Sequence, residues 1–599
     1  MYKLPFISVL MVSTALFVSC SPTTNKHPTF DTQSLKQTSA TPHTNKYGAY
    51  LAARVAHLRK DFNSAADYYK IAIQENNADP ELLDRIYLIL TSKGRIEEAA
   101  LYAQESIKNN TGNSFAYLLI AAVKNKQGDY TSSVKTLNKI SDPIYRSFIL
   151  PLFNIWNYAG LNDQKSAFAE LKKLQKEDSL APIYNLQQAM LYDYLGQNRE
   201  AQQAYEQILN DKTSQVSVRM LELITNFYIR TGQKDKAVAL MHATANNQSL
   251  DSLLSTLRDK TINADPKATK PLLSSAAAGA SEALFTIAST FRYDETIDVS
   301  HMYSSLAIYM NPEYSTAKIL MADIFETRDM IEDANEIYDS INDTDIAYYP
   351  AQLKKSRNLV KMEDYKGAEI LLKSLSEDFN DKQIDIDLGE LLRMNSRYSE
   401  AIEYYDNAIK KSAPSPKLWV LYYTKGICFE RIGQWQQAEE ALLQAAKLKR
   451  NYLILNYLGY TWIKQNKNVD EAFKLIVEAY NKAPFDPSIN DSLGFALYNM
   501  GYYGMALPYL EKASELYPSS AVISSHLGDA YWFAHRKNEA KFQWMHTLKL
   551  KDDSGEINIK ETKEKIRHGI KSEPKLVFDK EKVEQIMKDI KKSKLVQKL

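Results

Sequence analysis

A 34-residue period limits what this chain can fold into more than any other feature. It is plainest in three phrases: Asn456-Tyr-Leu-Gly-Tyr460, Asp491-Ser-Leu-Gly-Phe495 and His526-Leu-Gly-Asp-Ala-Tyr-Trp532. Each carries a Leu-Gly pair followed three residues later by a large side chain: Trp462, Leu497 and Tyr531. Each is then followed by an alanine that opens a new helical pattern: Ala472, Ala506 and Ala540, spaced 34 apart. Close packing explains these residue types. Gly494 lets one helix approach its partner, and Leu497 fills the space beside it. Ala506, Leu510 and Ala513 share one stripe of the second helix. Pro518 stops that helix, because proline lacks the N–H and clashes with the preceding turn.

A period of this length with small, large and Ala landmarks is the signature of the tetratricopeptide repeat (TPR), a helix–turn–helix unit. The landmarks recur along most of the chain. Small residues of the second helix fall at Ala65, Ala99, Ser133, Ala167 and Ala201, each 34 apart, and then at Ala237 after a gap of 36. They resume at Ser300, Ala334, Ala368, Ala401 and Ala438, and run on to Ala540. The expected fold class is all-α, a TPR superhelical solenoid in two arrays. A solenoid grows by stacking, so length sets no domain count here. The N-terminal array is expected over 47–247, with about six repeats. The C-terminal array is expected over 284–550, with about eight.

Between them, 248–283 breaks the rhythm. Asp265-Pro266 and Lys270-Pro271 mark turns. Ser274–Ala283 is a run of small residues, compatible with a lid, a hinge or an atypical repeat; close packing of an irregular helical joint is the plainest reading. The Gly459 repeat holds one extra residue in its turn, near Asn466–Val469. After Leu550 the period ends. Ile557–Ile570 and Lys580–Lys594 read as two amphipathic helices, so 551–599 is expected to be a helical cap over the last apolar face.

The first residues read as a targeting segment. Lys3 precedes an apolar stretch, Leu4–Val18, too short for an ordinary membrane-spanning helix. Phe17-Val18-Ser19-Cys20 then resembles a lipobox, in which the cysteine becomes lipidated. The expectation is a lipoprotein signal peptide over 1–19, lipidation at Cys20 and a flexible tether over 20–46. Ser21 resembles the residue that sends lipoproteins to the outer membrane, so the chain is expected on its periplasmic side. The other cysteine, Cys428, reads as a buried thiol packing as a small apolar residue.

Composition excludes several classes. Lys and Arg number 74 against 73 Asp and Glu, for a net charge of +1, which gives no electrostatic reason to expect nucleic acid. No phosphate-binding loop, dinucleotide fingerprint, Cys-x-x-Cys, His-Glu-x-x-His or nucleophile elbow occurs. The spacing of His526, His535 and His546 does not match common zinc patterns. No catalytic residue, metal site or cofactor is expected, and function should lie in a surface.

In TPR arrays that surface is the concave face built from the first (A) helices. Counted from the landmark glycine, its residues here include Tyr423, Arg431, Asn456, Tyr460, Lys464, Asp491, Tyr498, Asn499, Asp529 and Trp532. Aromatic side chains beside Asn, Asp and Arg make a candidate partner-binding surface; packing against the next repeat is the alternative role for each.

The three phrases, with Gln543-Trp544, resemble a family of proteobacterial TPR outer-membrane lipoproteins, the LbcA-like adaptors, and more distantly the NlpI-like ones. The resemblance is specific over about 419–550. It implies a scaffold that binds other proteins or peptides: a periplasmic carboxyl-terminal processing protease and the cell-wall hydrolases it degrades. The alternative is a component of an outer-membrane protein assembly or secretion machine.

Overall fold

The computed structural model describes residues 46–588, save 60, 75–79, 110–112, 176–177, 212–215, 245–250, 293, 553–554, 575, 577 and 587. The signal segment, Cys20 and the tether up to residue 45 lie outside the described residues, as does the end of the segment expected to be helical to Lys594. Among the described residues the structure is helical throughout and no strand occurs, so the expected all-α TPR solenoid is what the chain forms. It divides into two compact units, one ending at Leu82 and one beginning at Leu83. The first holds α1 (Lys46–Leu58) and α2 (Phe62–Gln74), joined by an edge-on contact of Tyr50 with Tyr69.

One helix pair shows how sequence becomes structure. Asp486 caps α26 (Pro487–Asn499) by accepting the Ile489 N–H at 3.1 Å, and Pro487 occupies the first turn, where no N–H is needed. The helix ends at Asn499, and Gly501, two residues on with a φ of +83°, carries the chain into α27 (Tyr503–Leu516). Ala506, Leu510 and Ala513 form the buried seam between the two. A Cβ on Gly494 would lie 2.5 Å from Leu510 Cγ, so only glycine allows this approach.

The small residues that mark the period, from Ala65 to Ala540, are all fully buried. Where serine replaces alanine, its hydroxyl is satisfied by the paired helix. Ser133 donates to the Ala121 carbonyl at 2.9 Å, and Ser300 to the Ala288 carbonyl at 2.8 Å. The turn with the extra residue places Asn466 and Asn468 in the left-handed region, which asparagine tolerates better than most residues.

The small-residue run leads into α14 (Ala276–Thr290), followed by α15 (Ile297–Met310). These do not simply continue the stack. Both pack against A helices of the preceding repeats: α14 against α5 (Ser114–Lys126), α7 (Leu150–Gly160) and α9 (Ala181–Tyr194), and α15 against α5. Gly279 lies on the Trp156 indole, where a Cβ would fall 1.9 Å from the ring. Glu282 of α14 binds the guanidinium of Arg219 on α11 (Val218–Arg230), at 2.9 Å through Nε, and accepts the Tyr314 hydroxyl at 2.5 Å. Arg219 also pairs with Glu222 at 2.5 Å, and all three charged groups are buried. At the far side, His301 donates from Nε2 to the Ser92 carbonyl at 2.9 Å and faces Arg328 through Nδ1 at 3.0 Å. The A-helix face of this part of the chain is filled by the chain itself.

Candidate functional site: the A-helix face of the second array

Four A helices present the candidate residues: α22 (Trp419–Arg431), α24 (Tyr452–Lys464), α26 and α28 (Ala521–Phe533). Aromatic rings step across them. Trp419 meets Tyr423, and Tyr423 meets Tyr457 edge-on at 5.7 Å, joining α22 to α24. Tyr460 meets Phe495 at 5.4 Å, joining α24 to α26. Phe495 stacks on His526 at 4.3 Å, joining α26 to α28.

Charge is set into this ladder in two clusters. In one, buried Glu430 faces Lys464 Nζ at 3.4 Å and Arg431 at 3.5 Å, with the Tyr457 hydroxyl at 3.4 Å. In the other, both Asp491 carboxylate oxygens lie 3.0 Å from His526 Nδ1. Burial works against a charged imidazole there, but Asp491, with help from Asp529 and Glu556, outweighs it and raises the His526 pKa.

The face is not bare. After α29 (Lys537–Thr547) a non-helical stretch leads into α30 (Ile559–His568), and its described residues from Gly555 onward come back to this face. Glu556 of that stretch accepts from Lys464 Nζ and from the Tyr460 hydroxyl, both at 3.0 Å, and lies 3.7 Å from Arg431. Burial opposes its charge, yet Lys464, the Tyr460 hydroxyl and Arg431 hold the carboxyl below its usual range. Lys565 of α30 reaches Asp529 at 2.9 Å, while Trp544 Nε1 donates to the other oxygen of Asp529 at 2.8 Å. Trp532 Nε1 donates to the Ile570 carbonyl at 3.1 Å, and Gly569 lies flat on the same indole, where a Cβ would fall 1.8 Å from the ring. Between this strap and the helices remains a cleft of about 210 Å³, lined by Tyr460, Phe495, His526 and Glu556 among others.

The structure thus brings Arg431, Tyr460, Lys464, Asp529 and Trp532 into direct contact with the strap. Asp491 reaches the cleft through His526. Tyr423 belongs to the aromatic ladder. Asn456 sits one turn before Tyr460, and its Oδ1 finds no hydrogen-bond donor among the described residues. Tyr498 is buried against Tyr503 and Phe533, and Asn499 donates to its own helix at Phe495 O, so these two are engaged in packing. Sequence reasoning missed Glu430, Tyr457, Phe495 and His526 as part of the face. Phe495 follows its landmark glycine as Tyr460 and Asp529 follow theirs, so the same register applied uniformly points to it. The strap itself has no periodic signal.

Cys428 is a free, fully buried thiol on α22; burial pushes its pKa up to about 12, which suits an inert packing residue. Among the described residues no group of three or more His, Cys, Asp or Glu is placed to hold a metal ion, and no helix is long and apolar enough to cross a membrane.

Family models described as tetratricopeptide repeat match residues 353–416, 423–487 and 488–520. A TPR repeat-containing protein of Pseudomonas aeruginosa is 30% identical over 185 residues, covering 30% of this chain and 31% of that protein's own length. Among solved structures, a tetratricopeptide repeat protein from Parabacteroides merdae matches at 14% identity and a TM-score of 0.35, covering 42% of this chain and 97% of that one. Yeast Tom70 matches at 16% identity and a TM-score of 0.30, covering 88% of this chain and 94% of its own.

Proposed function

We propose that this chain is a non-catalytic interaction scaffold whose working surface is the A-helix face from α22 to α28. The observation that carries the reading is that this face already holds polypeptide: a segment outside the helix pairs lies on it, bonded through Glu556, Lys565 and the Ile570 carbonyl. TPR repeats generally bind other proteins, and an aromatic ladder with charge set into it is the composition that concentrates binding energy.

In its fuller form the proposal takes up the resemblance to LbcA-like lipoproteins. Lipid on Cys20 anchors the chain to the outer membrane, and the tether holds the arrays in the periplasm. A carboxyl-terminal processing protease and the cell-wall hydrolases it degrades meet on the scaffold. Holding two partners together raises their effective concentration and speeds cleavage without new chemistry. The test is a cross-linked pull-down of the lipidated chain from its own cells, beside Cys20→Ala and an Arg431→Glu/Lys464→Glu double variant. The proposal expects a processing protease and hydrolases with the unaltered chain and their loss with the double variant. Equal recovery with the double variant removes this face from the function. Recovery of barrel-assembly or secretion subunits instead of a protease removes the adaptor reading and leaves the scaffold.

A further inference from the structure

We infer that the outer face of α1 is a docking surface for a bilayer that carries anionic lipid, and that this helix lies along the membrane interface. The surface is separate from the A-helix face of the second array, so the inference stands or falls apart from the scaffold reading.

The helix has two sides. Ala49, Ala53 and Ala56 are buried and form its seam with α2. On the other side Leu51, Val55 and Leu58 recur at the four- and three-residue spacing of a single helix stripe, and they are 62%, 48% and 78% exposed. The positions one period after Val55 and two periods after Leu51 are Ile89 and Leu119, and both are buried. A face that later repeats pack away is therefore left open on α1. Three large aliphatic side chains on one stripe make a continuous apolar surface, unlike single exposed residues.

Charge says what covers that surface. Arg54 and Arg59 are both exposed. They flank the stripe, about 60° to one side of Leu51 and about 80° to the other on a helix of 3.6 residues per turn. Arg59 follows the last residue of α1, and its N–H still reaches the Val55 carbonyl at 3.0 Å, which keeps the helical register. The helix itself contains no Asp or Glu. A second copy meeting the same face would set arginines against arginines, with no carboxylate from either α1 between them. An anionic bilayer meets both demands at once. Its acyl chains take the aliphatic stripe, and its phosphates, at headgroup depth, take guanidiniums that reach sideways on their flexible stems. Lipid on Cys20, as proposed above, would hold α1 near such a surface and raise its effective concentration there, but the chemistry of the face does not depend on it.

The test uses the full chain with Cys20→Ala, so that no lipid anchor contributes. An environment-sensitive fluorophore is attached at Val55→Cys or, as the reference, at Leu101→Cys, an exposed position of α4 (Ile96–Lys108). Cys428 is fully buried and does not compete for the label. Each chain is mixed with vesicles of equal parts phosphatidylglycerol and phosphatidylcholine, or of phosphatidylcholine alone, with brominated acyl chains as the quencher. On the anionic vesicles the fluorophore at position 55 is expected to shift to the blue and be quenched, while that at position 101 does neither. Arg54→Glu/Arg59→Glu is expected to lower the binding at least about twentyfold, since each basic residue near an anionic surface contributes about fivefold. Leu51→Gln lowers it severalfold by breaking the stripe. No quenching at position 55, equal quenching at both positions, or equal binding to phosphatidylcholine alone overturns the inference. A blue shift at position 55 that needs no vesicles and grows with protein concentration assigns the face to a second copy and overturns it as well. None of these outcomes bears on the A-helix face of the second array, which the cross-linked pull-down tests.

Discussion

Two stretches of A-helix face in this chain are both covered by the chain itself, and they are covered differently. On α5, α7, α9 and α11 the cover is α14 and α15, applied through Trp156 on Gly279 and through the buried Arg219, Glu222, Glu282 and Tyr314. On α22 to α28 it is a strap applied through Glu556, Lys565 and one indole hydrogen bond, with Ile566 and Ile570 half-buried against the core, beside an open cleft. The first cover is core and lifts only when the surrounding helices unfold. The second is less enclosed, only Thr562 of α30 being fully buried, and is expected to open without the helices beneath it. Repeats of one kind therefore give two outcomes, a closed body and an addressable groove, and what decides between them is what fills the face.

The largest expected effect is on the closed face. Glu282→Ala leaves Arg219 buried with only Glu222 to balance it and should cost about 3 kcal/mol in urea unfolding. A smaller loss would mean that water reaches this cover and the contrast is weaker than drawn. Gly279→Ala forces the Trp156 indole to move and should cost about 1–3 kcal/mol.

Acidity separates the two faces by sign. Burial, with Arg328 and Lys93 nearby, lowers the His301 pKa from 6.5 to about 3. The unfolded chain takes up this proton and the folded chain does not, so the contribution of His301 is present above pH 6.5 and is lost as pH falls toward about 3. The slope is at most ~1.4 kcal/mol per pH unit. His526 is raised above 6.5, so its contribution is present below pH 6.5 and is lost as pH rises through its folded pKa. Melting temperatures measured against pH should lose the acid-side slope in His301→Gln and the opposite slope in His526→Gln; slopes of one sign in both would break the comparison. The smallest effect is on the strap. Glu556→Ala should change global stability by less than about 1 kcal/mol, while making the chain around residues 551–558 readily cut by a protease.

The solenoid was legible in the sequence because its packing repeats. A small residue that recurs at this period must be buried against a partner helix, and each one from Ala65 to Ala540 is. The register of the A helices also pointed toward Tyr460, Lys464, Asp529 and Trp532. The helix within Ile557–Ile570 was legible, and forms as α30 (Ile559–His568), but which side chains the two covers meet was not. The run Ser274–Ala283 signals close approach but carries no mark that Trp156 is what it approaches. The pairing of Lys464 with Glu556 joins residues 92 apart that share no periodic position. Tyr498 and Asn499 occupy groove positions by count, yet a neighbouring ring and the helix's own carbonyl take their side chains.

Hydrogen exchange of the full chain, read at α14 and at α30 with and without Glu556→Ala, tests the contrast most directly. The account predicts that α14 exchanges only through global opening in both chains. It predicts that α30 exchanges through a local opening that Glu556→Ala makes faster. Equal protection of the two helices, or an α30 unmoved by Glu556→Ala, would contradict it.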